Sequence, residues 1–308
     1  MKLIRNTQSL QNNNQACVAT IGNFDGLHLG HQKIISHLKE KSNELGLLLT
    51  VISFEPLPAE YFSPKPATRI YPLRDKLRLL NSLGVDNCLC LKFNATLASM
   101  PPQTFVNEIL LDKLKVKYLA VGDDFRFGHK REGDFALLQQ MGDAAAMIVV
   151  DTPTVEVKGE RVSSTRIRIN LENGKIPAAN KLLGFKYQLS GRIRHGDKRG
   201  RTIGFPTLNM RLSENIAAAR GVYAVHVHGL NGDGILNGVA NIGSRPTVGG
   251  TEIRLETHLF DFNQEVYGCY ICVELLKFIR AEERFKNFEM LKLQIEKDVN
   301  QAKTILEC

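Results

Sequence analysis

A chain of 308 residues has room for two domains, each with a core of its own. Its 43% hydrophobic and 23% charged residues are a globular mixture, and no run reaches the ~18 apolar residues needed to cross a bilayer, which argues against a membrane protein. The formal net charge of +8 fits a handler of phosphorylated small molecules or of nucleic acid, but with no tryptophan and no basic stripe interleaved with aromatics, base stacking has little to work with and nucleic acid is the lesser reading.

Met1–Gln15 is rich in Asn and Gln and shows no export signal, so a cytoplasmic setting is expected. From Ala16 to about Asp151, short apolar runs alternate with amphipathic stretches. Cys17–Ile21, Leu47–Phe54, Asn87–Leu91, Tyr118–Val121 and Ala146–Val150 read as strands, and Gly30–Glu44, Pro72–Leu83, Pro102–Leu114 and Asp134–Met141 as helices. Strands separated by helices predict a parallel sheet with right-handed crossovers, a Rossmann-like α/β layer whose ligands bind beyond the carboxyl ends of the strands. Gly22–His31, Phe54–Pro58 and Gly122–Gly128 then fall on one rim.

Gly22-Asn23-Phe24-Asp25-Gly26-Leu27-His28-Leu29-Gly30-His31 reads as a glycine loop between a strand and a helix start. Glycines permit tight turns and close backbone approach, and a new helix offers unpaired N–H groups at the positive end of its dipole. His28 and His31, three residues apart, share a face and can reach one anionic group. In Gly122–Gly128, Phe125 and Phe127 either cap the core or stack on a planar ligand. Further on, Ser163 or Ser164 caps a helix running through Leu171, and Arg166 and Arg168 add permanently charged forks, a second anion site. Two such sites fit a triphosphate.

A short helix, Pro177–Leu183, with a glycine cap at Gly184 closes this part. Beyond it, Tyr187–Arg194, Gly221–Gly229, Gly234–Ile242, Arg254–Phe260 and Cys269–Lys277 read as strands with no helices between them, an antiparallel barrel or sandwich covered by a last helix over about Phe288–Ile305. Domains of 1–184 and 185–308 are expected. Gly191–Asn209 carries four glycines and five basic residues without the spacing of a P-loop, and can wrap phosphates. Thr207 and Asn209, two apart on an extended segment, face one side and offer neutral oxygens to Mg²⁺, or simply form a polar strand face. Glu256 is either a surface carboxylate or, inside a barrel mouth, a proton acceptor for a hydroxyl. Cys88-x-Cys90 and Cys269-x-x-Cys272 lie in apolar runs and are read as small buried hydrophobes rather than zinc ligands.

Taken together and in order, the Gly22–His31 loop, the Gly122–Gly128 loop, Ser163–Arg168, the Gly200–Asn209 segment with its Pro-Thr-x-Asn core, Asn241–Thr247 and Glu256-Thr257-His258 resemble the bacterial bifunctional riboflavin kinase and FMN adenylyltransferase (FAD synthetase) family over nearly the whole chain. The resemblance implies two ATP-dependent reactions. In the barrel, riboflavin is phosphorylated with Glu256 as general base, Thr207 and Asn209 on Mg²⁺, and Arg201 and Gly204 near the ATP phosphates. In the α/β domain, the FMN phosphate attacks a second ATP. There Gly22, Asn23, Phe24, Asp25 and Gly30 cradle the nucleotide, His28 and His31 hold its charge, Ser164, Thr165 and Arg168 grip pyrophosphate, and Asp123, Phe125 and Phe127 meet the flavin. The implied partners are riboflavin, FMN and ATP, not nucleic acid or membrane, with the chain a monomer or weak homo-oligomer. Leu57, Leu208 and Val248 depart from the family's usual residues. A transferase with another acceptor, or a flavin- or RNA-binding regulator without turnover, are the competing readings.

Overall fold

The computed structural model describes all residues except 6, 11–14, 65–67, 123, 197–203, 233 and 248–249, so Asp123, Arg201 and Val248 lie outside the described residues. The chain divides into two compact units, Met1–Ala67 with Lys76–Ser163, and Thr68–Asp75 with Ser164–Cys308.

In the first unit, β1 (Lys2–Ile4), β2 (Cys17–Ile21), β3 (Leu48–Glu55), β4 (Asn87–Lys92), β5 (Val116–Gly122) and β6 (Ile148–Thr152) form one sheet in the order β1-β4-β3-β2-β5-β6, every pair parallel. The Rossmann-like expectation holds. All five residues of β2 are buried, as a strand covered on both faces requires. The sheet grows from β2 through β3 to β4 on one side, then jumps back to β5 and β6 on the other. The switch of direction therefore falls between β2 and β5, the place where such sheets bind ligands.

Around the sheet run α1 (Leu29–Leu45), the short α2 (Pro58–Phe62), α3 (Leu73–Ser82), α4 (Ala95–Ala98) and α5 (Pro102–Thr104), then α6 (Phe135–Ala144). The helix expected over Pro102–Leu114 differs in pitch. Phe105–Lys113 is π-helical, with the Leu114 N–H donating to the Ile109 carbonyl, and it buries Phe105, Val106, Ile109 and Leu110. A two-stranded hairpin of β7 (Glu156–Val157) and β8 (Glu160–Arg161) closes the unit; it has no sequence signature, because strands of two residues carry no period.

The second unit holds α7 (Ser164–Glu172) and α8 (Ile176–Leu183), the latter ended by Gly184 at φ 80°. Six antiparallel strands follow: β9 (Gln188–Arg192), β10 (Leu208–Leu212), β11 (Gly221–Asn231), β12 (Gly234–Thr247), β13 (Gly250–Leu259) and β14 (Tyr270–Ala281). They are ordered β10-β13-β12-β11-β14-β9. An Arg194–Asn209 bridge, with the Arg194 N–H donating to the Asn209 carbonyl at 2.8 Å, brings the two ends together into a nearly closed barrel. A final helix, α9 (Phe288–Leu306), lies on the outer face, where Ala302 packs among Val222, Ala224, Val239 and Phe260.

Two expectations change here. Glu256 is not inside the barrel. The inward side of β13 is the buried row Ile253, Leu255, Thr257 and Leu259, and residues alternate across a strand, so Glu256 stands on the face that carries α9. Cys88 and Cys90 are buried as expected, but Cys269 is exposed because β14 begins one residue later, at Tyr270.

Candidate active sites

At the switch point, β2 ends at Ile21 and the chain enters Gly22–His28. Phe24, Gly26 and Leu27 all have positive φ, at 48°, 91° and 47°. Phe24 turns its ring into the core, 4.9 Å from the His31 ring, so it offers a ligand backbone only. Asp25 is buried as well. His28 takes the N-cap of α1, its Nδ1 accepting the His31 N–H at 3.4 Å. An accepting Nδ1 leaves the proton of a neutral imidazole on Nε2. The two imidazoles stack at 3.8 Å with 16° between planes. A Cβ at position 30 would sit 3.2 Å from the His28 ring and press on that stack.

Burial, followed by the charge of Arg161, pushes the His28 pKa down to about 4. Burial, followed by the charges of His28 and Lys76, takes His31 well below 6.5. Both imidazoles are neutral near pH 7, two polar donors at a helix start rather than two cations. Permanent charge comes from Arg161 on β8, which pairs with Asp124 at 3.0 Å. No sequence signal marks Arg161, because its place beside His28 depends on the hairpin.

The Gly122–Gly128 loop leaves β5, the strand next to β2. Phe127 is buried in the core against Phe105, at 5.8 Å, while Phe125 is half-buried and stacks on Phe127 at 5.6 Å. The outer face of Phe125 is thus the aromatic surface this loop retains. Near the ends of β3 and β4, Tyr61, Phe62 and Phe93 form an edge-packed cluster with Phe62 68% exposed. Exposed aromatics so grouped are legible from Tyr61-Phe62 alone, as a pair too apolar for a surface turn. Leu57, the departure from the family's usual residue, is buried before α2, and Glu60 accepts its N–H at 2.9 Å.

In the second unit Ser164 opens α7, which puts Ser163 at the cap position; Thr165 is exposed and Arg168 half-buried. Among the described residues, two cavities on the barrel stand out. The larger, about 520 Å³, lies between the sheet and α9 and is bounded by Thr207, Asn209, Glu256 and His258 together with apolar Phe288 and Ile295. The smaller, about 340 Å³, is lined by Pro206, Leu208 and Phe262–Tyr267. Thr207 lines both. Glu256 is the direct cross-strand partner of Asn209 on β10 and of Asn241 on β12. The Asn209 Oδ1 is buried and accepts no hydrogen bond from the described residues, while its Nδ2 donates to the Thr207 carbonyl at 3.2 Å. A neutral oxygen acceptor left open beside a hydroxyl and a carboxylate suits a hard, oxygen-seeking cation. The His258 imidazole holds the Pro206 carbonyl at 2.9 Å and so fixes the segment bearing Thr207, a role that the sequence does not signal. Gly204 is exposed at φ 88° with open space around it.

A parallel α/β layer with a His-x-Gly-His helix start at its switch point, followed by a small antiparallel barrel, is a nucleotidyltransferase-type domain joined to a riboflavin kinase-type barrel. The family model for FAD synthetase matches residues 10–166, and that for riboflavin kinase matches residues 183–306. Bifunctional riboflavin kinase/FMN adenylyltransferase from Haemophilus influenzae is 46% identical over 304 residues, 98% of each chain. Its counterpart from Escherichia coli K12 is 47% identical over 97% of this chain and 96% of its own. The crystal structure of a macrolide-efflux protein from Streptococcus pneumoniae is similar over 96% of each chain, with 30% identity and a TM-score of 0.81. The efflux named there is that protein's; among the described residues of this chain no helix is long and apolar enough to cross a membrane. The chain belongs to the bifunctional riboflavin kinase/FMN adenylyltransferase family.

Proposed function

We propose that this chain converts riboflavin to FAD in two ATP-dependent steps in the cytoplasm, acting as a monomer or weak homo-oligomer. Residues 185–308 carry the kinase step and residues 1–184 the adenylyl transfer. The observation that supports the reading most is the wall shared by the two barrel cavities at Thr207. In-line phosphoryl transfer needs an acceptor and a donor on opposite sides of one transferring group.

The larger, partly apolar cavity takes the flavin, with its 5′-hydroxyl toward Glu256, and the smaller takes ATP. Glu256 accepts the hydroxyl proton as the oxygen bonds to the γ-phosphorus, and ADP leaves. Thr207 and Asn209 are the residues that would hold Mg²⁺, and the open Asn209 Oδ1 fits that task. Bound there, the ion supplies neutralisation of the charge on the transferring phosphoryl group. Arg201 and Gly204 keep their proposed place near the ATP phosphates.

In the α/β domain, an FMN phosphate oxygen bonds to the α-phosphorus of a second ATP and pyrophosphate leaves. Little covalent chemistry is asked of the protein, so position and charge stabilisation carry the rate. Gly22–Gly30 provides backbone N–H groups, and the neutral His28 donates from Nε2. Ser164, Thr165 and Arg168 hold the departing pyrophosphate. Phe125, with Asp123 of the same loop and the Tyr61–Phe62–Phe93 cluster, receives the flavin ring, while Phe127, expected there as well, is buried in the core and only backs Phe125.

A time course of riboflavin with ATP and Mg²⁺, followed by chromatography, tests both halves. FMN is expected to rise and then give way to FAD. Folded protein that yields no flavin product would overturn the reading.

A further inference from the structure

Lys76 has no direct part in either proposed reaction. It lies on α3, 3% exposed, beneath the Gly22–His31 loop. Its ammonium donates to the Asn23 carbonyl at 3.1 Å and to the Ser53 Oγ at 3.0 Å, and the Ser53 hydroxyl donates to the same carbonyl at 3.3 Å. An ammonium taken out of water costs free energy unless hydrogen bonds and opposite charge replace its hydration. Burial lowers the Lys76 pKa, while Glu55, Cys90, Asp25 and Cys88 oppose that. A lysine at this depth, one turn before the buried Leu80, sits on the apolar stripe of its helix, where sequence reasoning expects a hydrophobe.

Directly after Asn23 come the positive-φ residues Phe24, Gly26 and Leu27, and then the two histidines. Non-glycine residues persist in the left-handed region only where their surroundings over-determine them. The Asn23 carbonyl is the entry to that turn, and two donors from different elements, α3 and β3, converge on it. We propose that Lys76 is a positioning residue for adenylyl transfer, its ammonium clamping the Asn23 carbonyl so that the turn aims His28, His31 and the loop N–H groups at the nucleotide. Burial first, then the charge of His28, keep His31 neutral, and the Lys76 charge adds to both. This inference rests on the adenylyl-transfer reading of the site.

The test uses the full chain with two assays, adenylylation of supplied FMN and phosphorylation of riboflavin. Lys76→Met keeps most of the stem and loses the charge; Lys76→Arg keeps the charge. Lys76→Met is expected to lower kcat/KM for ATP in adenylylation about tenfold or more, since small misplacements of catalytic geometry have effects of that order or larger. Phosphorylation should stay within about twofold, and Lys76→Arg should restore part of the loss. With the like charge gone, His31 takes a proton at higher pH, so the acid limb of the adenylylation profile should move upward in Lys76→Met and stay in place in Lys76→Arg, which keeps the charge. Should Lys76→Met fail to fold, Ser53→Ala loosens the same clamp and is expected to cost adenylylation about two- to fivefold, as loss of one neutral hydrogen bond would. Adenylylation by Lys76→Met within about threefold of the unsubstituted chain, or equal losses in both variants with an unmoved pH profile, would overturn the inference. Failure of the unsubstituted chain to adenylylate FMN would instead remove the functional reading beneath it.

Discussion

Asn209 on β10 and Glu256 on β13 are direct partners in the antiparallel register, and Glu256 pairs in turn with Asn241 on β12, so an amide, a carboxylate and a second amide form one polar rung on the α9 face. Opposite residues on adjacent strands hold their Cβ atoms about 4.5–5.5 Å apart. In the proposed roles of metal ligand and proton acceptor, Asn209 and Glu256 within that span can serve one transferring group. Glu256→Gln is accordingly expected to lower riboflavin phosphorylation by about two to four orders of magnitude, the usual scale of a general base, while adenylylation of supplied FMN persists. His28→Ala with His31→Ala should do the reverse. Both activities falling together in either variant would refute the separation into two sites.

Gly196 guards the same rung. A Cβ at that position would lie 2.4 Å from the Asn209 Nδ2 and 2.7 Å from its Oδ1, so Gly196→Ala must push the buried amide aside. The expected result is a loss of phosphorylation of about tenfold or more, with a higher Mg²⁺ concentration at half-maximal rate and unchanged adenylylation. Titrating Mg²⁺ in the variant checks it. An unaltered Mg²⁺ requirement would dissociate Asn209 from the metal.

The neutral histidines predict how stability depends on pH. The unfolded chain protonates His28 near pH 6.5, whereas the folded chain holds out until about pH 4. Stability from keeping this group neutral is therefore complete above pH 6.5 and drains away as the pH falls toward 4. Each tenfold difference in proton affinity between the folded and unfolded chain is worth about 1.4 kcal/mol, so the loss amounts to about 3 kcal/mol, and the depressed pKa of His31 acts in the same direction. Urea midpoints measured from about pH 7.5 to about pH 4.5 should fall along this course, and His28→Asn should flatten the curve. A variant as pH-sensitive as the parent would show that the burden lies elsewhere.

Much of this is visible in the residues themselves. Strand β2 and helix α8 carry strong local signals, a continuous apolar run in one and a glycine cap in the other, and both form with bounds close to those expected. The Glu252, Arg254, Glu256, His258 alternation against Ile253, Leu255, Thr257 and Leu259 is equally plain, but which side faces the barrel is decided by distant partners, so a barrel-mouth placement of Glu256 fails. Strand β1 has only three residues and exists because β4 has a free edge beside it. Arg161, His258 and Lys76 escape a reading of the sequence for a common reason. Each acts through a carbonyl or ring brought to it by another element, and a single charged residue carries no trace of that meeting.

The wall of the larger cavity formed by α9 rests on an ion pair between the buried Asp298 and the half-buried Arg280. Arg280 on β14 donates from Nε to the Asp298 Oδ1 at 2.9 Å and from its Nη2 to Oδ2 at 2.7 Å, and Gln294 adds a bond to Oδ1 at 3.0 Å. Asp298 is 3% exposed, so truncating it strands a guanidinium against the sheet. Breaking a buried pair from one side costs about 3–5 kcal/mol, and Asp298→Ala should destabilise the second unit by about that amount. Asp298→Asn, which keeps shape and two hydrogen-bond partners, should lose less. Because Phe288, Leu291 and Ile295 of the same helix line the larger cavity, proposed to take the flavin, the surviving folded fraction of Asp298→Asn should show a raised KM for riboflavin, with KM for FMN in adenylylation unchanged. Calorimetry of the two variants beside steady-state kinetics checks both parts. A variant destabilised as expected but with an unaltered KM for riboflavin would mean that the flavin does not lean on α9.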